Sequence, residues 1–377
     1  MNFLKRCWAE IDLDALDFNL ESIRAHCPDK EIIAILKANA YGHSDIICAK
    51  EYYRLGIRRF AVSNYHEAER IREIIGDNEC FLLVFGYIPE EHFGDIFRLG
   101  LTVTAGSVEF AERLDGFAAS QNKKISVNIA VDTGMTRVGV RTAEEIAEIS
   151  ALKNLEITGI YSHFAVSDMP DAENVEFTKK QYEKLSCLAK NMNVPLHLHN
   201  SGGIAFHSDI QTDWIRPGIV LYGLSPNTGM ENPLKLKQVM TLKSVIDQLK
   251  TVPKGVDIGY GRTYTTDSEQ VIAIVPTGYA DGYSRALSNR GYAIVNGVLC
   301  PIRGRVCMDQ MMIDVTKAGA ELGDEVKLYS DEFEETNIDH IADTLGTIGY
   351  EMVCSVSARV PRVAVRNGKI VEVVNER

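Results

Sequence analysis

A chain of 377 residues, 45% apolar and 24% charged, has the make-up of a soluble globular protein with one large or two ordinary domains. Its formal net charge of −12 leaves no basic footprint for nucleic acid, and no run of about 18 apolar residues is present to span a membrane. The eight cysteines (7, 27, 48, 80, 187, 300, 307 and 354) form no C-x-x-C pair, and no signal-peptide core follows the mixed charges of the N-terminus. These features argue for free thiols in a reducing cytoplasm and against a disulfide frame or a zinc site.

In chain order, residues 6–11 read as β, and then short β-rich runs alternate with amphipathic stretches. Strands are predicted at 31–36, 59–63, 81–85, 102–104, 125–131, 157–162, 196–200 and 219–222, with helices at 14–26, 44–55, 65–75, 107–119, 143–151 and 173–191. Repeated strand–helix units imply parallel strands with helical crossovers, and eight of them fit a closed barrel. The rival, an open doubly wound sheet, usually carries a G-x-G-x-x-G first turn, which is absent here. After about residue 227 helical periodicity thins. Short β runs follow at 240–248, 270–276, 292–295, 298–305, 311–314, 325–329 and 363–365, with one helix at 338–345. The expected fold is α/β: an N-terminal (β/α)8 TIM-type barrel over 12–230, then a C-terminal mainly-β domain over 231–377 into which residues 1–11 pair.

The first predicted strand runs Ile32-Ile33-Ala34-Ile35-Leu36 into Lys37, then into the small-residue turn Ala38-Asn39-Ala40-Tyr41-Gly42-His43. An amine held beside low-dielectric walls is pressed to lose its proton, because desolvation penalises the charged form. A neutral lysine attacks aldehydes, which is how pyridoxal phosphate (PLP) chemistry begins. The plainer reading is a solvated lysine at a strand edge. In a parallel barrel the C-terminal strand ends converge on one face. Lys37 and Tyr41 belong there, with His163, Asn200-Ser201-Gly202-Gly203, and Arg216 with Gly218. The two glycines and serine suit an anion, or an ordinary strand–helix turn. Arg216 suits a heterocycle nitrogen, or a strand-edge salt bridge. His197 and His199 share one strand face without a third ligand at metal spacing, so they read as structural and no metal is expected. Gly259-Tyr260-Gly261 exposes a phenol that nearby cations could bring into working range; otherwise it is a turn tyrosine.

Together these segments resemble the PLP-dependent alanine racemase family, which includes alanine and serine racemases. The resemblance rests on Trp8-Ala9-Glu10-Ile11-Asp12, Lys37 to His43, Asp132-Thr133-Gly134-Met135, His199-Asn200-Ser201, Arg216-Pro217-Gly218, Gly259 to Tyr264, Gly278-Tyr279-Ala280-Asp281-Gly282, Cys307-Met308-Asp309-Gln310 and Arg359-Val360-Pro361-Arg362. It implies a head-to-tail homodimer in which each active site joins one barrel to the other subunit's β domain. It implies that Lys37 carries PLP as a Schiff base and handles the α-hydrogen of the D-isomer, with Tyr260 of the partner subunit acting on the L-isomer from the opposite face. Arg216 would contact the pyridine nitrogen, and His163 would support Arg216 and help polarise the tyrosine. Tyr41, Ser201, Gly218, Ile219 and Tyr350 would hold the phosphate, with Asn200 beside them. On the substrate side, Arg137 would contact the PLP phenolic oxygen and Met308 of the partner subunit would lie near the substrate carboxylate, while Tyr279 and Tyr350 narrow the entrance. The role implied is supply of D-alanine for peptidoglycan in the cytoplasm.

An arginine at the pyridine nitrogen has a pKa above about 12 and does not readily protonate the ring. The carbanion is then short-lived, which disfavours transamination. Two departures from the family pattern stand out. Ala130 occupies a position where relatives often have a lysine that can be carbamylated to orient the arginine matching Arg137, so a chloride or neighbouring acid would substitute, or Arg137 would be held more loosely. Thr136 replaces a commonly small residue. Serine is the alternative substrate, and a barrel-type PLP decarboxylase or a non-catalytic PLP-binding protein are the other readings.

Overall fold

The computed structural model describes residues 3–375. Its first large unit is a barrel of parallel strands: Arg59–Val62, Phe81–Val84, Thr102–Ala105, Ile125–Ala130, Leu155–Tyr161, Leu196–His197 and Trp214–Ile215, closed by a strand in two pieces, Glu31–Ile32 and Ala34–Ile35. The two pieces close the sheet because they pair on opposite sides. Glu31–Ile32 meets Trp214–Ile215, whereas Ala34–Ile35 meets Arg59–Val62. Between them Ile33 donates to the Ile215 carbonyl at 2.9 Å. Nine hydrogen-bonded segments, two of them halves of one strand, thus make eight strands among the described residues.

Ile33, Phe60, Leu83, Val103, Val127, Ile129 and Ile160 are fully buried along these strands. Each such side chain contributes about 1.5–3 kcal/mol relative to exposure. The crossover helices are capped as their sequences allow. Asp12 caps Leu13–His26, Asn64 caps Tyr65–Ile75, and Thr142 with Glu145 forms a full capping box on Ala143–Ser150.

The remaining strands among the described residues build a seven-stranded sheet, a three-stranded sheet and a two-stranded one, Asp257–Ile258 with Tyr264–Thr265. Cys7–Asp12 lies inside the larger one, antiparallel to Met240–Val245 and parallel to Arg362–Arg366. The smaller sheet pairs Gln248–Val252, Gln270–Val275 and Met311–Asp314.

Three local expectations are corrected. Residues 219–222 form a 3-10 turn, and the eighth barrel strand is Trp214–Ile215. Pro217 has no N–H to give the ladder, and the chain turns away at Gly218 while the apolar run stays buried. The expected strand at 196–200 pairs only at Leu196–His197, because Asn200 already caps the next helix. Beyond the 338–345 helix a second one, Gly349–Cys354, carries Tyr350.

Candidate active site

Past Lys37 the chain does not open into a plain loop. Ala38, Asn39, Ala40 and Tyr41 all have left-handed φ values, 54°, 55°, 52° and 53°. Ala40 N–H donates to the Leu36 carbonyl and Gly42 N–H to the Ala38 carbonyl, both at 2.9 Å, closing one left-handed helical turn. L-residues resist this by roughly 1–2 kcal/mol each, so the turn must be held from outside. Glu67 accepts from the Ala38 amide at 2.8 Å. His43 Nδ1–H donates to the Tyr41 carbonyl at 2.9 Å. Asn39 Oδ1 accepts from the Asp45 amide at 2.8 Å. Arg362, fully buried in the β domain, donates through Nε to the Gly42 carbonyl at 2.9 Å. Gly42 itself has φ 77°, and a Cβ there would lie 2.1 Å from the Val353 carbonyl oxygen. The turn is therefore gripped by the barrel on one side and the Gly349–Cys354 helix on the other.

Lys37 is half-buried, and burial is the main force pulling its pKa below the usual lysine range; Arg137 pulls the same way. Its ammonium end lies 6.0 Å from the Tyr41 ring centre. It lines a cavity of about 260 Å3 together with Tyr41, His163, Asn200, Ser201, Arg216, Gly218, Tyr350 and Cys354. A second cavity of similar size joins Lys37 to Arg137, Met135 and His163. The structure thus brings most of the predicted barrel residues together.

Ser201 opens the Ser201–Phe206 helix and accepts from the Gly218 amide at 3.0 Å. Asn200 stands one step behind it, its side-chain oxygen capping Gly203 N–H at 2.9 Å. Tyr41 and Tyr350 pack with ring centres 6.0 Å apart, and burial raises both phenols, so both are neutral donors. A Cβ on Gly218 would lie 2.5 Å from the Tyr41 hydroxyl, so only glycine leaves the cradle open. The Ile219 side chain is fully buried outside these cavities, leaving only its backbone for a ligand.

Arg216 forms the floor. Its Nη2 donates to the Ser162 and Leu198 carbonyls at 2.7 and 3.2 Å and to His163 Nδ1 at 3.2 Å. Its Nη1 donates to His197 Nδ1 at 2.8 Å. Arginine cannot accept, so both imidazoles present a lone pair at Nδ1. Burial, reinforced by Arg216, lowers both histidine pKa values well below the ordinary range and keeps them neutral. Burial also brings Arg216 down to about 10, lower than its side chain alone implies but still charged at pH 7.

His197 is thus a buried structural support of Arg216. It stacks on Tyr161, with ring centres 5.0 Å apart, and donates from Nε2 to Asn128 Oδ1 at 2.8 Å. Its alternation with His199 carried no hint of this, since the arginine partner lies 19 positions away. His199 bonds only Thr212 and the His207 carbonyl and is structural, as expected.

At the departures, Ala130 is buried at the end of its strand. The neighbouring acid Asp132 is committed elsewhere: its carboxylate binds Arg141 Nε at 2.9 Å and the amides of Gly134 and Thr136 at 3.0 and 2.9 Å. Thr136 takes a left-handed φ of 56°, and Arg137 follows it, exposed.

Tyr260, Tyr279 and Met308 are gathered elsewhere, on the β domain. They line a cavity of about 500 Å3 with Arg285, Arg305 and Asp309, which shares no residue with either lysine cavity. Gly259 and Gly261, at φ 69° and 74°, push Tyr260 outward until it is 73% exposed. Buried Asp281 fixes the adjacent turn by accepting from Gly278 N–H, Arg6 and Arg359.

A parallel barrel holding a half-buried lysine over a buried arginine, joined to a β domain, defines a two-domain barrel enzyme. Residues 11–226 match the alanine racemase N-terminal domain family, and residues 239–364 match the alanine racemase C-terminal domain family. Alanine racemase 1 of Clostridium acetobutylicum is 37% identical over 99% of this chain and 98% of its own. The alanine racemase of Halothermothrix orenii is 40% identical over 94% and 96%. The Clostridium difficile alanine racemase structure superposes with a TM-score of 0.92 at 34% identity, covering 100% of each chain. The chain belongs to the alanine racemase family.

Proposed function

We propose that this chain interconverts L- and D-alanine, using PLP, as a homodimer whose two sites each join one barrel to the other subunit's β domain. The barrel then spans 12–230 and the β domain 231–377 with 1–11. The product is D-alanine for peptidoglycan, made in the cytoplasm. Clostridial alanine racemases similar over nearly the whole chain support that role, and among the described residues no helix is long and apolar enough to cross a membrane.

The residues fit PLP. Ser201, Gly218, the Ile219 backbone and the Tyr41 and Tyr350 phenols would hold its phosphate, in a cradle that a Cβ on Gly218 would fill. Arg216 would meet the ring nitrogen, and Lys37 the aldehyde. The chemistry supplied by bound PLP is an aldehyde that condenses with amines and a ring that draws electrons from the α-carbon.

Racemisation needs a proton taken from one face and returned on the other, so two groups placed on opposite sides suit it. Lys37 Nζ holds or releases the proton on one face, its basic form favoured by burial. Tyr260 Oη of the partner subunit serves the other. Neutral His163 keeps its Nε2–H for that phenol, because Nδ1 accepts from Arg216. Charged Arg216 satisfies the ring nitrogen without surrendering a proton, which limits side reactions. Arg137 would meet the phenolic oxygen of PLP, Met308 of the partner subunit would lie near the substrate carboxylate, and Tyr279 of the partner subunit and Tyr350 would narrow the entrance.

The observation that carries this reading is the single cavity uniting a pKa-depressed lysine, a buried arginine and a glycine–serine–tyrosine cradle. The test is chiral chromatography of the purified enzyme with PLP on alanine and serine side by side. Inversion of alanine from both enantiomers is expected. PLP binding without inversion of either amino acid would leave a binding protein instead.

A further inference from the structure

Glu67 is the third residue of the Tyr65–Ile75 helix, which Asn64 caps. A glutamate in that position ordinarily turns back to the cap residue's own amide. This one does not. One oxygen accepts from Ser63 N–H at 2.7 Å, one residue before the cap. The other crosses to the neighbouring crossover and accepts from Ala38 N–H at 2.8 Å, at the first residue of the left-handed turn. Both oxygens are thus committed to backbone amides, and each bond is charge-assisted. The carboxylate ties the end of the Arg59–Val62 strand to the residue beside the reactive lysine.

We propose that Glu67 is a positioning residue of the reaction: its carboxylate holds the left-handed turn at Ala38 and so aims the Lys37 amine into the cavity. This rests on reading Lys37 as the amine that carries PLP. The turn is strained at four consecutive residues, and the Ala38 bond is the clamp nearest the lysine in sequence. Around the amine stand Arg137, Arg216, His163, Tyr41 and Cys354, and Glu67 is the carboxylate that opposes the two arginines there.

The test uses the full-length chain carrying Glu67→Gln. The amide is nearly isosteric but has one acceptor oxygen in place of two, and its NH2 faces a backbone N–H. Deuterium exchange over residues 37–44 is expected to rise about tenfold or more while the rest of the chain keeps its protection. The PLP dissociation constant, read from visible absorbance, is expected to weaken about 10- to 100-fold. Adding Ala38→Gly should recover part of that affinity, since glycine adopts positive φ without strain and needs less holding. A merely structural glutamate would loosen the Tyr65–Ile75 helix instead and gain nothing from the glycine. Unchanged exchange at 37–44, or faster exchange with wild-type PLP affinity, overturns the proposal. Borohydride trapping with peptide mapping on the wild-type enzyme tests the underlying reading separately: a tag away from Lys37 removes the lysine's role, whereas the exchange result bears on the clamp alone.

Discussion

The barrel mouth and the outer face of the β domain hold the two groups proposed to serve opposite faces of the α-carbon, and they are built in opposite ways. Lys37 is half-buried just before a strained turn, with its partners in its own chain. Tyr260 stands on a two-glycine turn, 73% exposed, in a cavity the lysine does not share. A group desolvated by its own chain has its pKa moved by that chain. Tyr260 is left in water by its own chain, and in the proposed dimer the second subunit would supply the dry walls. In the proposed dimer the barrel is one half of each site, and the other subunit's β domain would supply the rest.

The sharpest way to break this contrast is to remove each group and then mix the products. Lys37→Ala should lower racemisation by roughly 10^4-fold or more, because it removes both the cofactor anchor and a proton carrier. Mixed with Tyr260→Phe and allowed to exchange subunits, it should regain about a quarter of wild-type activity, since half of randomly paired dimers are mixed and each mixed dimer has one intact site. No recovery after verified exchange would mean that both groups act within one chain.

Tyr260→Phe alone should cost about 10^2- to 10^4-fold in kcat while leaving the visible absorbance of bound PLP unchanged. Loss of the absorbance would place the tyrosine in cofactor binding instead. Arg216→Glu should lower racemisation by about 10^2- to 10^3-fold and raise transamination, because a carboxyl can share a proton with the ring nitrogen where the buried arginine does not. Transamination products measured against wild type decide it.

The smallest expected effect concerns pH. Burial first, and Arg137 second, depress the Lys37 pKa. Removing the guanidinium with Arg137→Ala raises that pKa. Only the unprotonated amine condenses with PLP, so the acid limb of PLP capture should move to higher pH. A limb that stays in place would leave burial and Arg216 as the causes.

Much of this was legible along the chain. The barrel strands from 31 to 162 fall where alternation and apolar runs place them, because each is a local pattern bounded by a helix signal. Lys37, Ser201, Arg216 and Gly218 do converge, since strand ends in a parallel barrel must. The eighth strand was misplaced to 219–222 because a buried apolar run looks alike in a strand and in a 3-10 turn. That His197 supports Arg216 is not legible along the chain, because the arginine follows the next strand. The role of Glu67 is not legible in the sequence, since nothing in its neighbourhood announces Ala38 as a partner.

What the order of residues alone determined was the alternation of elements, the split between a barrel and a β-rich tail, and the inventory of reactive groups. These follow from side-chain polarity at short spacing, which does not depend on what lies across the fold. Only the tertiary structure decided the left-handed turn after Lys37, the neutral state of His163 and His197, and the separation of Lys37 from Tyr260. Each of those depends on groups distant in sequence, because backbone strain is tolerated, and a charge suppressed, only where the surrounding packing and hydrogen bonds supply the opposing free energy.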